Sequence, residues 1–199
     1  MLPYTQYRKF VLLTDGRQVL LRLLFRHDQD GLLQMFHAAS EAEVRYLKWP
    51  VKDPRLMQAW LEGLNYRTVL PLVAVDLMAH RFVGVALLTR ERLGAGGQVH
   101  LFAAEPFRRL GLVGALLEEL LDLAGQEDLQ WLTARVAAAD RLAVRAFRDR
   151  GFEIRATLED LFLSVNGSSR PVLLMTRPVM GKTPGAPGDL NPKPRETKI

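Results

Sequence analysis

The 199-residue chain contains no cysteine, which excludes a disulfide framework, a thiolate nucleophile and a cysteine metal ligand. It has four histidines, and His27, His37 and His80 are too scattered to suggest a metal site, so no metal is expected. No run reaches the roughly 18 uncharged apolar residues that a membrane-crossing helix needs. The first residues, MLPYTQYRKF, lack a long apolar core followed by small residues, so no secretory leader is read there. There is no long basic run and no zinc-finger spacing, which removes nucleic acid from the expected partners. These absences fit a reducing, cytoplasmic compartment without membrane contact. Acidic residues are also in the minority: the formal charge is +5, part of it in the C-terminal tail. That excess serves solubility or draws an anionic ligand.

What is present is one globular domain's worth of apolar residues, 48% of the chain, expected over residues 1–179. From residue 180 to 199 proline, glycine and lysine dominate and large apolar residues nearly vanish, which predicts a disordered tail. No internal repeat is visible. The most informative stretch is Gln98 to Ala124, QVHLFAAEPFRRLGLVGALLEELLDLA. Val99 to Ala104 is a short apolar run. Glu105-Pro106-Phe107 is a turn, followed by Arg108, Arg109, Gly111 and Gly114. Leu112, Val113, Leu116, Leu117, Leu120, Leu121 and Ala124 then recur every three or four positions. This is a strand, a basic glycine-containing loop and an amphipathic helix. The first amides of a helix lack partners within it and carry the positive end of its dipole. Such a loop suits a phosphate or diphosphate. Gly111 and Gly114 equally suit close helix–sheet packing, and Arg108 and Arg109 equally suit a solvated pair.

The rest of the chain alternates in the same manner. YRKFVLLTD, Gly16 and RQVLLRLL predict a hairpin turning at Asp15-Gly16. Asp28 is placed to cap a helix over 29–39. Arg45 to Pro50 reads as an irregular connection. Asp53-Pro54 starts a helix over 54–64 with Leu56, Met57, Trp60 and Leu61 inward. Strands follow over 68–76 and 82–90, with Gly94, Gly96 and Gly97 as a flexible turn. Gly125 is expected to end the long helix. Leu129 to Ala137 is a strand, and Asp140 caps a helix to Arg150 that turns Leu142, Ala143, Ala146 and Phe147 inward. Gly151 stops it. Phe152 to Val165, bulged near Glu159-Asp160, and Pro171 to Thr176 form a last hairpin around Asn166-Gly167. The order β-β-α-α-β-β-β-α-β-α-β-β is an α+β layer fold, a mixed central sheet flanked by about four helices.

Two patterns in that order resemble the GNAT acyltransferase superfamily. Its acetyl-CoA loop runs [QR]-x-x-G-x-[GA] after a strand and into a helix. Here Arg108-Arg109-Leu110-Gly111-Leu112-Val113 fits the first and fourth places, departs at Val113, and has Gly114 one residue later. The second pattern is N-x-x-A-x-x-x-Y-x-x-x-G-F. Asp140, Ala143, Phe147, Gly151 and Phe152 stand there, with alanine, glycine and the last phenylalanine matching. The likeness covers roughly residues 10–178. The opening L-T-D-G-R-x-V-x-L-R, then Asp28 and a helix, looks most like the GNAT domains of bacterial protein lysine acetyltransferases.

The resemblance implies a V-shaped opening between the strands Val99–Ala104 and Leu129–Ala137. Backbone groups of Leu101, Phe102 and Ala103 would pair with the pantetheine arm of acetyl-CoA. A backbone N–H there would polarise the thioester carbonyl. The amides of Arg109, Leu110, Gly111, Leu112, Val113 and Gly114 would hold the diphosphate, with Arg108 beside them. Asp140 and Phe147 would border the cofactor from the second motif. Attack by an amine requires that a base take its proton. The family's glutamate position falls on Gln98, which cannot do so, and its tyrosine position falls on Phe147, which has no proton to give. The substitutes are Glu105, more often a solvated turn carboxylate, His100, whose ordinary pKa suits a base but which as a single histidine in an apolar strand is more often simply packed, and Asp140, more often a helix cap. The family's acceptor pocket would draw on Tyr46, Trp49, Trp60, Tyr66, Glu159 and Asp160, an aromatic and acidic set fitting a cationic amine; the preferred reading of these residues is core tryptophans and solvated acids.

The expected function is an acetyl-CoA-dependent N-acetyltransferase that passes its acyl group directly to an amine of a small molecule or protein. Acetyl-CoA serves as co-substrate, and a homodimer is compatible with the reading. Gln98, Val113 and Phe147 support a different class, a non-catalytic CoA-binding or sensory module. Val113 and the imperfect loop also admit an interaction protein that keeps only the fold.

Overall fold

The computed structural model describes residues 7–44, 47, 51–91, 95–127, 129–158 and 171–179. Strands β1 (Arg8–Leu12) and β2 (Gln18–Leu23) open it, followed by a 3-10 turn and helices α1 (Gln29–His37), α2 (Glu41–Val44) and α3 (Pro54–Glu62). Next come β3 (Val69–Asp76), β4 (Arg81–Arg90) and β5 (Gly96–Ala103), the single turn α4 (Glu105–Arg108) and the long helix α5 (Leu112–Gln126). Strand β6 (Trp131–Ala137), helix α6 (Arg141–Arg148) and strands β7 (Glu153–Leu158) and β8 (Val172–Pro178) complete the order. The eight strands form one mixed sheet, β1-β2-β3-β4-β5-β6-β8-β7. Among the described residues only β5 and β6 pair in parallel, joined by a crossover through α4 and α5, as a parallel pair requires. Among the described residues four helices reach eight residues or more, α1, α3, α5 and α6. The expected α+β fold with its mixed sheet is the one observed.

The helical spacing of apolar residues decides which face each helix covers. On one face Leu112, Leu116, Leu117, Leu120 and Leu123 of α5 and Phe147 of α6 share a core with the sheet. On the other, Leu32, Met35 and Phe36 of α1 and Met57 and Leu61 of α3 cover Val73, Val85, Leu87 and Phe102. Each such side chain contributes about 2 kcal/mol through burial. Helix α5 lies close to β4 because residue 84 is glycine. A Cβ there would stand 3.1 Å from Leu116 Cδ1 and 3.2 Å from Leu112 Cδ2. No helix among the described residues is long and apolar enough to cross a membrane.

Several local expectations are corrected. Asp28 precedes α1 without capping it; its carboxylate accepts from Arg22 at 2.7 and 2.8 Å and from the Phe25 N–H at 2.7 Å. Leu56 and Leu142 are exposed, at 51% and 47%, because the buried stripes of their short helices run through Met57 and Leu61, and through Phe147. Gly96 and Gly97 belong to β5 rather than to a turn, and a Cβ on Gly97 would crowd Leu132 and Leu88 at 2.9 Å. Helix α5 runs through Gly125 and ends at Gln126. The one-turn helix α2 falls between the expected helix over 29–39 and the connection from Arg45, where no element is expected, since four residues are too few to show a helical period. The β7 register shifts at Ile154/Ala156. Tyr46, Trp49, Glu159, Asp160, the Asn166-Gly167 turn and residues 180–199 lie outside the described residues.

Candidate active site

The central feature is a split between two strands. Strands β5 and β6 pair only from Gly96↔Trp131 to Val99↔Ala134. Beyond that point β5 keeps β4 as its neighbour through Ala103, and β6 keeps β8 through Ala137. Among the described residues β6 does not pair with β5 beyond Val99, and a narrow cleft of about 110 Å³ opens there. Its walls are Val99 to Ala103 on one side and Arg135, Val136 and Ala137 on the other. Val113 of α5 and Asp140, Leu142, Ala143 and Phe147 around α6 line one end. Glu43 and Leu47 line the other. Since α5 and α6 lie on one face of the sheet and α1 and α3 on the other, the cleft passes between the two layers.

The loop after β5 is held from several directions. Gly111 has φ +89°, a left-handed conformation at the residue preceding α5, which glycine adopts without a Cβ penalty. The Thr14 N–H of the β1–β2 turn donates to the Leu110 carbonyl at 3.2 Å. The Arg17 guanidinium lies 4.8 Å from the centre of the Phe107 ring. The hairpin turn itself forms at Asp15-Gly16 as expected, with Gly16 at φ +86°. The first amides of α5 have no acceptor inside the helix and project from this anchored loop.

Arg108 and Arg109 behave differently. Arg109 is exposed. Arg108 turns inward: its Nε donates to the Ala103 carbonyl at 2.8 Å and its Nη2 to Glu43 at 2.5 Å. Glu43 also accepts from the Ser40 N–H at 2.8 Å and the Ser40 hydroxyl at 2.7 Å. Burial pushes the Glu43 carboxyl up, but the Ser40 and Arg108 contacts outweigh it and hold the group below its ordinary value. Gly114 is not open to solvent on every side, for the Arg150 guanidinium packs against it. Val113 is buried, in the core beneath α5 and at the cleft wall.

Of the candidate proton acceptors, His100 lines the cleft. Glu105, the first residue of α4, lines instead an adjoining cavity of about 680 Å³ between α1, the start of β4 and α4. Glu43 borders both spaces. Asp140 caps α6, accepting from the Ala143 N–H at 3.0 Å. Gln98 pairs with Thr133 before the split and is outside the cleft lining. Trp60 packs against the α1–α3 core, and the Tyr66 hydroxyl donates to the Leu24 carbonyl at 2.8 Å; neither lines the cleft. Among the described residues no group of acidic, histidine or cysteine side chains could hold a metal ion.

Sequence reasoning missed Glu43, Leu47, Arg135 and Leu142 as lining residues. Ser40-x-x-Glu43 is the spacing of a capping box, a visible signal for α2. Its role at the cleft depends on the tertiary placement of α2.

The chain resembles known proteins in fold and, more weakly, in sequence. No curated protein matches it. The GNAT domain of S. lividans PAT superposes with a TM-score of 0.71 at 18% identity, over 86% of this chain and 96% of that one. Ribosomal-protein-alanine N-acetyltransferase from Brucella melitensis gives 0.68 at 23% identity, over 79% and 98%. Mycobacterium smegmatis RimJ, solved in complex with CoA-disulfide, gives 0.69 at 17% identity, over 86% of each chain. The family model described as acetyltransferase (GNAT) family matches residues 32–152, more than half of the sequence. With the split sheet and the anchored loop between β5 and α5, this match makes the chain a member of the GNAT acetyltransferase family.

Proposed function

We propose that the protein is an acetyl-CoA-dependent N-acetyltransferase acting on an amine of a small molecule or a protein. The observation that carries this reading is the parting of β5 from β6 after Val99↔Ala134, which opens the cleft beside Leu101 to Ala103 near the start of α5. A pantetheine arm can enter that cleft as an added strand, with Leu101, Phe102 and Ala103 supplying backbone partners. The amides from Arg109 to Gly114 are suited to the diphosphate by their freedom from helix hydrogen bonds and by the helix dipole. A backbone N–H in β5 then polarises the carbonyl where negative charge develops.

The amine approaches from the α2 side of the cleft. There the Glu43 carboxylate, kept ionised by Ser40 and Arg108, attracts a protonated amine, and the 680 Å³ cavity offers room for its substituents. His100 accepts the proton that the amine loses as its nitrogen bonds to the acyl carbon and the carbon–sulfur bond breaks. Glu105 is the second candidate for that proton, from the cavity wall. Phe147 cannot protonate the leaving thiolate, so water supplies that proton.

Calorimetry with acetyl-CoA, followed by CoA release against a panel of amines, tests the reading. Binding, with release for at least one amine and loss of both in Gly111→Glu, is expected. No binding at millimolar acetyl-CoA would reject it. Binding with no release for any amine would favour the non-catalytic CoA-binding module, the reading that Phe147 and Gln98 support.

A further inference from the structure

Four arginines follow the cleft residue Asp140 within a short span, Arg141, Arg145, Arg148 and Arg150. The first three are exposed and recur at helical spacing on the outer side of α6. Arg150 differs. It follows α6 and reaches to α5, where its Nη2 lies only 2.3 Å from the position a Cβ on residue 114 would take. Only glycine at 114 leaves that space. The same guanidinium donates to Glu118 on α5 at 2.6 Å and to the Ala146 carbonyl of α6 at 3.2 Å. Its Nε is buried and has no hydrogen-bond partner. The backbone closes around it: the Arg150 N–H donates to the Phe147 carbonyl, Gly151 at φ +80° reverses the chain, and the Phe152 N–H returns to the same carbonyl.

The location is unusual for a cation. Gly114 is in the first turn of α5, where the helix dipole favours anions and opposes positive charge. Glu118 offsets this only in part, since its side chain is 61% exposed. A guanidinium held against a helix start keeps a fixed positive charge where the free amides also favour an anion, so an anion bound there meets both. Val113 and Phe147, next to Gly114 and one turn before Arg150, are cleft-lining residues. The clamp therefore joins the two helices that flank the cofactor end of the cleft.

We infer that Arg150, seated in the notch of Gly114, is a positioning residue for the phosphate end of the acyl donor. It fixes α6 against the first turn of α5 and adds a fixed positive charge beside the free amides. Gly114 thus serves the cofactor by admitting Arg150 rather than by backbone approach alone. This inference rests on the acetyl-CoA reading above.

The test compares acetyl-CoA with S-acetylpantetheine, which lacks all phosphates, on the wild type, Arg150→Ala, Arg150→Lys and Gly114→Ala. Arg150→Ala is expected to weaken acetyl-CoA about tenfold, the scale of losing a fixed, partly buried charge beside an anionic ligand. Its affinity for S-acetylpantetheine and its kcat at saturating donor should stay within about twofold, while Arg150→Lys falls between. Gly114→Ala displaces only the flexible end of Arg150 and improves helix propensity, so it should fold at least as stably and show the same selective loss. In the Arg150→Ala background it should add nothing. Equal loss for both donors, or no loss for either, would overturn the inference while leaving the acetyl-CoA reading intact. Failure of the wild type to bind acetyl-CoA would overturn both.

Discussion

Arg108 and Glu43 join two parts of the chain far apart in sequence: Nη2 of the arginine lies 2.5 Å from Oε1 of the glutamate while its Nε holds the carbonyl of Ala103. One side chain thereby fixes α2 to the last residue of β5. Removing it takes the donor from the Ala103 carbonyl and from Oε1 of Glu43, which keeps only its Ser40 contacts on Oε2. Arg108→Ala should lower unfolding free energy by about 1–3 kcal/mol, read from urea denaturation. Arg108→Lys, which cannot serve both acceptors with one planar fork, should fall between the two.

The same contact makes a pH prediction. Although burial raises it, Glu43 is held by Ser40 and Arg108 below its ordinary value of 4.5. A carboxyl whose folded pKa lies below its unfolded one stabilises the fold above the unfolded value and loses that contribution as pH falls through the folded one. Below about pH 4.5 the wild type should therefore lose stability more steeply than Glu43→Gln. Parallel acid limbs in the two proteins would contradict this.

Glu119 carries the opposite sign. It is nearly buried on α5, and burial followed by the neighbouring Asp122 pushes its carboxyl from 4.5 up to about 7. The Lys9 ammonium, 2.6 Å away, opposes this, but it is about half exposed and solvated, so burial prevails. A raised carboxyl pKa means that the folded state holds the proton more tightly. The contribution of this one group is then greatest below about pH 4.5 and declines as pH rises through about 7, by on the order of 3 kcal/mol. Glu119→Gln should remove this slope, measured as the change in urea midpoint between acidic and mildly alkaline buffer.

Asp140 separates a structural role from a binding one. Its carboxylate caps α6 through Ala143, and asparagine caps equally well. Asp140→Ala should cost about 1 kcal/mol, whereas Asp140→Asn should keep the melting temperature and the acetyl-CoA affinity. A loss of affinity in Asp140→Asn without a change in stability would show that the negative charge itself matters to the ligand.

Phe147 is buried and meets Phe152 edge-on at 5.0 Å, with the cleft on its other side. Phe147→Tyr adds a hydroxyl that can face the cleft and protonate a leaving thiolate. It should raise kcat for the best amine about tenfold, at the low end of general acid catalysis, with little change in donor affinity. An unchanged kcat would mean that thiolate protonation does not limit the wild-type reaction.

The strand–loop–helix unit from Gln98 to Ala124 was legible because its signals are local: an apolar run, a glycine needing positive φ at 111, and a period of three to four in α5. The caps at Asp53 and Asp140 and the stop at Gly151 were legible for the same reason, each being a contact between near neighbours. Glu43 was not, because its meaning depends on a partner 65 positions away. Arg108 could not be read as turned inward, since nothing adjacent to it accepts its guanidinium. Leu56 and Leu142 were placed inward because a short helix has too few apolar residues to define one stripe.

By itself the sequence determined the succession of strands and helices, the glycine-bearing loop at the start of α5 and the family to which these belong, since turn chemistry, capping and hydrophobic period act over a few residues. Tertiary structure alone decided where β5 and β6 separate, which carboxylate faces the cleft and which arginine fills the space beside Gly114. Those outcomes depend on the distances between elements. Distances between elements are set when whole faces pack against the sheet, and no short stretch of residues encodes them.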